Sequence, residues 1–517
     1  MNANRLGSHR AAVVIGLAAI LAACSAQQQL PNVPARAVSQ GATHGQRQTG
    51  SFVTADLEWL MTDGTILVQD YDNENAWYSY APDAKGSYAD GTWKQLASMP
   101  AGYAPDAGST QVLADGRFLY MGGEYNDSKF TLTNLGAIYD PVKDTWTAMN
   151  HPHGWGWIGD SPSTMLPNNL FLIGDKLHKW DATFDPTSGK WASAGDAGKA
   201  DFNAEEGWTL LADGTMLTVD VKDDPNSEIY NPSTGQWKTA GKTPVSLASH
   251  WSTTGCLRYG TKEKDCYYPP GEIGPAILRP DGTVYATGSF TGTSIGEEAG
   301  NTAIYYSTGS KAGTWKAGPQ FPNNDNAGDN FGLLEPGGNV MVFGDSGAVY
   351  EWNGKSLTEL SGVSSCPPIL LPTGQVGLFC RSSVQIYTPK GSPEASWAPT
   401  IKHCSTLLLP GKTYRITGTQ FNGLSQAMAF GDEYQTATNY PLVRITNTSS
   451  KDVFYARTHD HSTMAVASGK KLVSTYFDVP DYIDAGTSTL EVVANGIASK
   501  PFNVTVSSAQ ARKARTH

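Results

Sequence analysis

The sequence predicts an all-β protein, a seven-bladed β-propeller followed by a smaller β-sandwich, on three observations. A unit of strand, tight turn, strand and terminal aromatic recurs about seven times between residues 51 and 401. From residue 402 the repeats stop and alternating strands without Trp take over. The composition, with 55 Gly, 30 Pro, 10% aromatic and only 16% charged residues, suits many short strands joined by turns. At 517 residues the chain is too long for one ordinary core, so two domains or more are expected.

The first residues read as an address. Arg5 and Arg10 precede an apolar run, residues 11–20, that is too short to span a bilayer. Leu21-Ala22-Ala23-Cys24 then resembles the bacterial lipobox, which implies cleavage after residue 23 and lipidation of Cys24; the plainer alternative is an ordinary signal peptide with a chance Cys. Ser25 rather than Asp after the Cys implies, within that class, the outer membrane. Acyl chains anchor a protein without a transmembrane helix. Residues 24–50 are polar, carry Pro31 and Pro34, and read as a flexible tether.

The propeller follows, residues 51–401. Its first-hairpin turns are Asp63-Gly64, Asp115-Gly116, Asn168-Asn169, Asp213-Gly214, Asp281-Gly282, Gly337-Gly338 and Thr373-Gly374. Such pairs suit the tight turn between two antiparallel strands. Aromatic-Asp/Asn-Pro steps at Tyr139, Phe184 and Tyr230 lead to Trp146, Trp191 and Trp237; other copies end at Trp93, Trp315 and Trp397. Each Trp is expected to close an outer strand by packing on the next blade. The spacing is close to the ~50 residues of kelch repeats, so the propeller is kelch-type. A lone blade cannot bury both faces, so the copies must close into a ring, with six or eight blades as the alternatives to seven.

Export permits disulfides. Cys256 and Cys266 bracket a polar loop; Cys366 and Cys380 flank a hairpin in nearly opposite positions. Cys404 is then left over, although any of the last three can pair otherwise. No CxxC or Cys/His spacing of a zinc site occurs.

Residues 402–506 carry alternating strands near 412–418, 440–445, 453–457 and 489–496, the pattern of an immunoglobulin-like sandwich, and 507–517 read as a frayed tail. Here residues 418–423, 430–439, 441–445 and 492–501 resemble the sandwich that follows the kelch propeller in the galactose oxidase and glyoxal oxidase group. That resemblance implies an early-set domain and an axial copper held by two His and two Tyr, one Tyr cross-linked to a Cys. The His that the group supplies after its aromatic-Gly step aligns, after Phe430-Gly431, with Gln435, a poor copper ligand. The chain has no Tyr-His dipeptide and no Cys between Cys24 and Cys256. Copper-radical chemistry is therefore not carried over.

Three clusters remain as candidate sites. Acids stand just before the innermost strands: Asp56, Asp106, Asp160, Glu205 (or Glu206), Glu272 and Asp329. Facing one channel mouth they would bind a hard cation such as Ca²⁺ or shift one another's pKa upward; the plainer reading is acids that cap turns and face water. His459 and His461 alternate on a strand and form a two-imidazole metal candidate, against hydrogen-bonded His at a polar strand end. Trp155, Trp157, Trp208 and Trp251 at blade junctions offer flat faces for sugar rings, or plug the blades.

The net charge of −11 argues against nucleic-acid and anionic-membrane partners on electrostatic grounds. No Gly-x-Ser-x-Gly elbow, P-loop or dinucleotide fingerprint appears in its proper context. The leading expectation is an exported, lipid-anchored, monomeric propeller that binds a glycan or another extracellular ligand. The alternatives are a divergent, metal-dependent oxidase or hydrolase, and a structural partner in an envelope complex.

Overall fold

The computed structural model describes residues 42–44, 53–249, 256–291 and 298–508. Cys24, Trp251 and residues 509–517 lie outside them.

Seven antiparallel sheets of four consecutively hydrogen-bonded strands span residues 55–95, 109–148, 163–193, 209–242, 273–317, 332–360 and 368–387, the last completed from elsewhere. Six begin with the innermost strand and end with the outermost. Asp-Gly turns work as expected: at Gly64, Gly116, Gly214 and Gly282 φ lies near +80°, which Gly adopts without a Cβ penalty. The inner strands are buried along their length, as in Ser163–Met165 and Val340–Phe343, whereas outer strands such as Lys190–Ser193 are exposed.

Two expectations are corrected. The outer-strand Trp packs on the preceding blade, not the next. Trp146 lies 4.8 Å from Trp77, and Trp237 Nε1 donates to Asp181 at 2.7 Å. Trp315 Nε1 donates to Ser227 at 2.9 Å, and Trp93 meets Phe379 across the seam between first and last blades. Sheet twist turns the Trp-bearing face of each outer strand back over the blade before it. The last blade is not closed by the segment at Trp397, which forms a 3-10 turn with its ring over Gly338. Its outer strand is Ala42–His44, paired antiparallel with Ser383–Tyr387, inside the stretch expected to be tether. The strand from the chain's beginning gives the last blade its fourth strand and covers the edge of Ser383–Tyr387, joining the two ends of the ring.

Cys256–Cys266 and Cys366–Cys380 are disulfide-bonded as expected. Cys404 is a half-buried free thiol, its pKa pushed up to about 11 by burial.

Strands from Thr400–His403 to Phe502–Val506 form a second β unit around a core that includes Leu408, Ile416, Val443, Ile445, Phe477, Leu490 and Val492. This unit sits against the first-hairpin turns of the propeller: Arg457 donates to Asp115 O, His461 N to Ala114 O, and Asn169 to His461 O. Residues 420–440 leave it and run down the axis. Gln426 caps Leu210 N and donates to Thr164; Met428–Ala429 adds a fifth strand to the sixth blade through Gly332–Leu334; Phe430 packs on Phe331. The return limb bonds Tyr440 to Leu60 O. The propeller channel is thus filled by a plug whose tip emerges at the face opposite the second β unit.

Candidate functional site

The tip of the plug, Gly431 to Tyr434, meets the acids that stand before the inner strands. Asp160, Glu205 and Asp432 bring carboxylate oxygens within 4.8 Å of one another, and all three are buried. The ammonium of Lys176, fully buried, bonds Asp160, sits 2.8 Å from Glu205 Oε1 and 3.7 Å from Asp432 Oδ2. Glu272 and Asp329 share a hydrogen bond beside them, and Asp106 accepts from the Tyr434 hydroxyl. Asp56 lies next to Asp106 and Glu74. The six sequence-predicted acids therefore gather around one axial mouth, in two groups.

Their electrostatics follow from burial. It pushes Glu272, Asp432 and Glu433 well above the usual carboxylate range, and neighbouring carboxylates add to the effect. Asp329 is pushed up to about 7 by burial and then by Glu205. For Lys176, burial opposes the charge, but Asp160 and Glu205 outweigh it and hold the amine protonated. Asp160 Oδ1, Glu272 Oε2 and Glu433 Oε2 have no hydrogen-bond partner among the described residues. Glu205, Asp329 and Tyr434 all adopt positive φ, +60°, +48° and +45°. Non-Gly residues in that region cost on the order of 1–3 kcal/mol each, and such strain concentrates at functional sites.

Close packing holds the tip. A Cβ on Gly207 would stand 2.5 Å from Gly431 O. Gly207→Ala is expected to lower stability by about 1–3 kcal/mol and to shift the mouth, seen as a lower unfolding midpoint; an unchanged midpoint would show the plug to be slack.

The copper implied by the resemblance does not fit these residues. Gln435 Nε2 braces the tip by donating to Asp432 O and Glu433 O at 3.3 and 3.4 Å. Neither metal-capable cluster among the described residues contains an imidazole. Oxygen donors suit a hard cation better, but the Lys176 ammonium already occupies the middle of the group, so the calcium expectation meets a resident cation.

The His459/His461 pair is corrected. The strand ends at His459, and Asp460, at φ +50°, breaks the alternation. His459 bonds Asp460 and Asp478, while His461 turns inward to Thr475 at 2.9 Å, and burial pushes its pKa down to about 3. The Trp platform is corrected too: Trp155 (7% exposed) and Trp208 (2%) are core, the latter against Trp237. The reason is that blade junctions are interior to the ring.

Of the three described, Trp157 alone reaches a ligand-accessible space. It meets Tyr259 edge-on at 4.9 Å in a groove of about 660 Å³, also lined by Phe202, Tyr267, Tyr268 and Lys222. The groove wall is the Cys256–Cys266 hairpin. Tyr267 joins groove to axis: its ring lines the groove, and its hydroxyl donates to Glu205. Lys176, Tyr267, Asp432, Glu433 and Tyr434 were not singled out from sequence. The last three stand inside the segment that carries the family resemblance, a signal that could have flagged them.

A second buried cluster, Asp201, Glu206, Asp220 and Glu228, surrounds the Lys199 ammonium between the third and fourth blades.

A ring of four-stranded kelch-type sheets around an acid-lined axis makes this chain a kelch-type β-propeller. No family model matches it. It is 25% identical to Kelch-like protein 38 of Homo sapiens over 166 residues, 31% of this chain and 27% of that protein. It is 24% identical to N-acetylneuraminate epimerase of Haemophilus influenzae (strain 86-028NP) over 156 residues, 30% of this chain and 39% of that protein. The chain thus spans well under half the length of these curated relatives. Among solved structures, a fungal alcohol oxidase of the AA5 family, in complex with copper, matches at a TM-score of 0.50 and 12% identity, covering 91% of this chain and 100% of that one. That distant likeness extends over both β units and speaks to the fold.

Proposed function

We propose that this chain binds a glycan in the aromatic groove, with ring faces against Trp157, Tyr259 and Tyr268. The observation that carries the reading is the cluster of aromatic rings, Trp157, Tyr259, Tyr267 and Tyr268, along one groove whose wall is anchored to the axial cluster by the Tyr267–Glu205 hydrogen bond. Aromatic faces beside a few convergent polar groups are the usual make-up of such sites. The propeller is displayed on the cell envelope, tethered through lipid on Cys24, with the second β unit an immunoglobulin-like sandwich that supplies the plug.

Titration of the mature chain against a glycan panel tests the reading. Trp157→Ala and Tyr268→Ala are each expected to weaken the best ligand at least about tenfold, since each stacked ring contributes about 0.5–1.5 kcal/mol beyond its buried area. Binding that survives both changes, or no binding by the wild type, would overturn it.

One observation favours an enzyme instead. Asp329, pushed up to about 7, populates both protonation states near neutrality beside the Lys176–Glu205–Tyr267 network, as general acid-base chemistry requires. A hydrolase or divergent oxidase reading would need turnover of the bound glycan.

A further inference from the structure

Resting on the glycan reading, we propose that the ligand is an acidic oligosaccharide occupying two adjoining subsites: a carboxylated ring in the groove by Trp157, and a neutral ring on Trp180 next to it. The second subsite is a hollow of about 450 Å³ that shares Leu177, His178, Phe202 and Lys222 with the groove. Trp180, 42% exposed, is a large aromatic presented there. His178 lies flat on it, ring centroids 3.8 Å apart and planes 7° apart, and Asp175 fixes that imidazole through Nδ1 at 2.9 Å. The pair is a rigid platform whose rotamers are set before any ligand arrives, which reduces the entropy cost of stacking.

Charge distinguishes the two hollows. The protein carries −11 overall, yet the inner groove presents the exposed Lys222 and Lys264. Among the described residues neither ammonium has an ion pair or hydrogen bond, and Lys222 Nζ lies over the Phe202 ring at 4.8 Å. The acid lining the same groove, Asp265, is turned into its own hairpin, accepting from Lys262 N at 2.8 Å. Two unpaired ammonium groups beside stacked aromatics match a sugar carboxylate. The outer hollow shares Lys222 but lacks Lys264 and adds Asp196 and Asp223, with Lys179 tied to the carbonyls of Lys199 and Ala200, so its carboxylates offset the one shared cation and offer acceptors to sugar hydroxyls.

Titration with a panel of hexuronate–hexose disaccharides, their methyl esters and the free hexuronates tests this. The disaccharide acid is expected to bind at least about tenfold more tightly than its ester, and than the monosaccharide. Lys222→Gln with Lys264→Gln should erase the preference for acid over ester. Trp180→Ala should erase the advantage of disaccharide over monosaccharide while leaving the monosaccharide unchanged. Equal binding of acid and ester, or a length advantage that survives Trp180→Ala, overturns the inference but leaves the glycan reading standing. Absence of binding to every sugar, or binding indifferent to Trp157→Ala, removes both. Unfolding midpoints of the Lys222, Lys264 and Trp180 variants are expected to match the wild type.

Discussion

Lys199→Met is expected to destabilise the protein by about 3–5 kcal/mol, the usual cost of removing one partner from a buried ion pair. The Lys199 amine is fully buried, 2.6 Å from Glu206, 3.0 Å from Glu228 and 3.2 Å from Asp201, and 4.9 Å above the Trp237 ring. Asp220, whose two oxygens have no hydrogen-bond partner among the described residues, completes a set of carboxylates within 4.8 Å of one another. Methionine fills the volume but leaves that set without its cation. Protonation relieves the repulsion, so the loss should be larger at pH 8 than at pH 5. Denaturant unfolding of wild type and variant at both pH values measures it, with Lys190→Met on an exposed outer strand as a control expected to stay within about 0.5 kcal/mol. A loss below about 1 kcal/mol, or one independent of pH, would mean that the carboxylates are not ionised around Lys199.

The second large effect is a fall in wild-type stability as pH rises from about 4 to 8. Burial pushes Asp329 and Asp181 up to about 7, and Asp220 and Glu335 up to about 8. The folded state then holds protons that the unfolded chain has already released. Stability is full below the unfolded value and is lost as pH climbs through the folded one. Each unit of elevation contributes about 1.4 kcal/mol, so four such groups outweigh the opposite contribution of His461. That residue, pushed down to about 3, makes folding more favourable as pH rises through its unfolded value near 6.5. Thermal midpoints in matched ionic strength should decline steadily from pH 5 to pH 8. A flat or rising profile would contradict the burial of these carboxyls.

Much of the propeller was legible along the chain because its determinants are local. A tight turn needs Gly at positive φ wherever it occurs, so Gly64, Gly116, Gly214 and Gly282 marked four first hairpins without reference to the rest of the molecule. The two disulfides were legible for the same reason, each closing a short loop. The axial acids were visible as a positional regularity, but their surroundings were not. Lys176 and Lys199 look like any lysine in a string; what makes them the centres of buried carboxylate clusters is a neighbourhood assembled from distant segments, Asp432 among them. The Trp faces failed in the opposite sense. Trp155 and Trp208 stand beside glycines as Trp157 does, yet blade packing buries the first two and leaves the third facing the groove.

What residue order alone dictates here is periodicity: repeats, turns, disulfide loops and the change of pattern near residue 400, all set by conformational preferences within a few positions. Folding in three dimensions assigned the partners. It sent the outer Trp backward, recruited Ala42–His44 to seal the ring, and threaded residues 420–440 down the axis so that an aromatic groove and a ring of carboxylates meet at Tyr267. Those outcomes depend on sheet twist, ring closure and desolvation, which act between residues tens to hundreds of positions apart and leave no mark on any short stretch of chain.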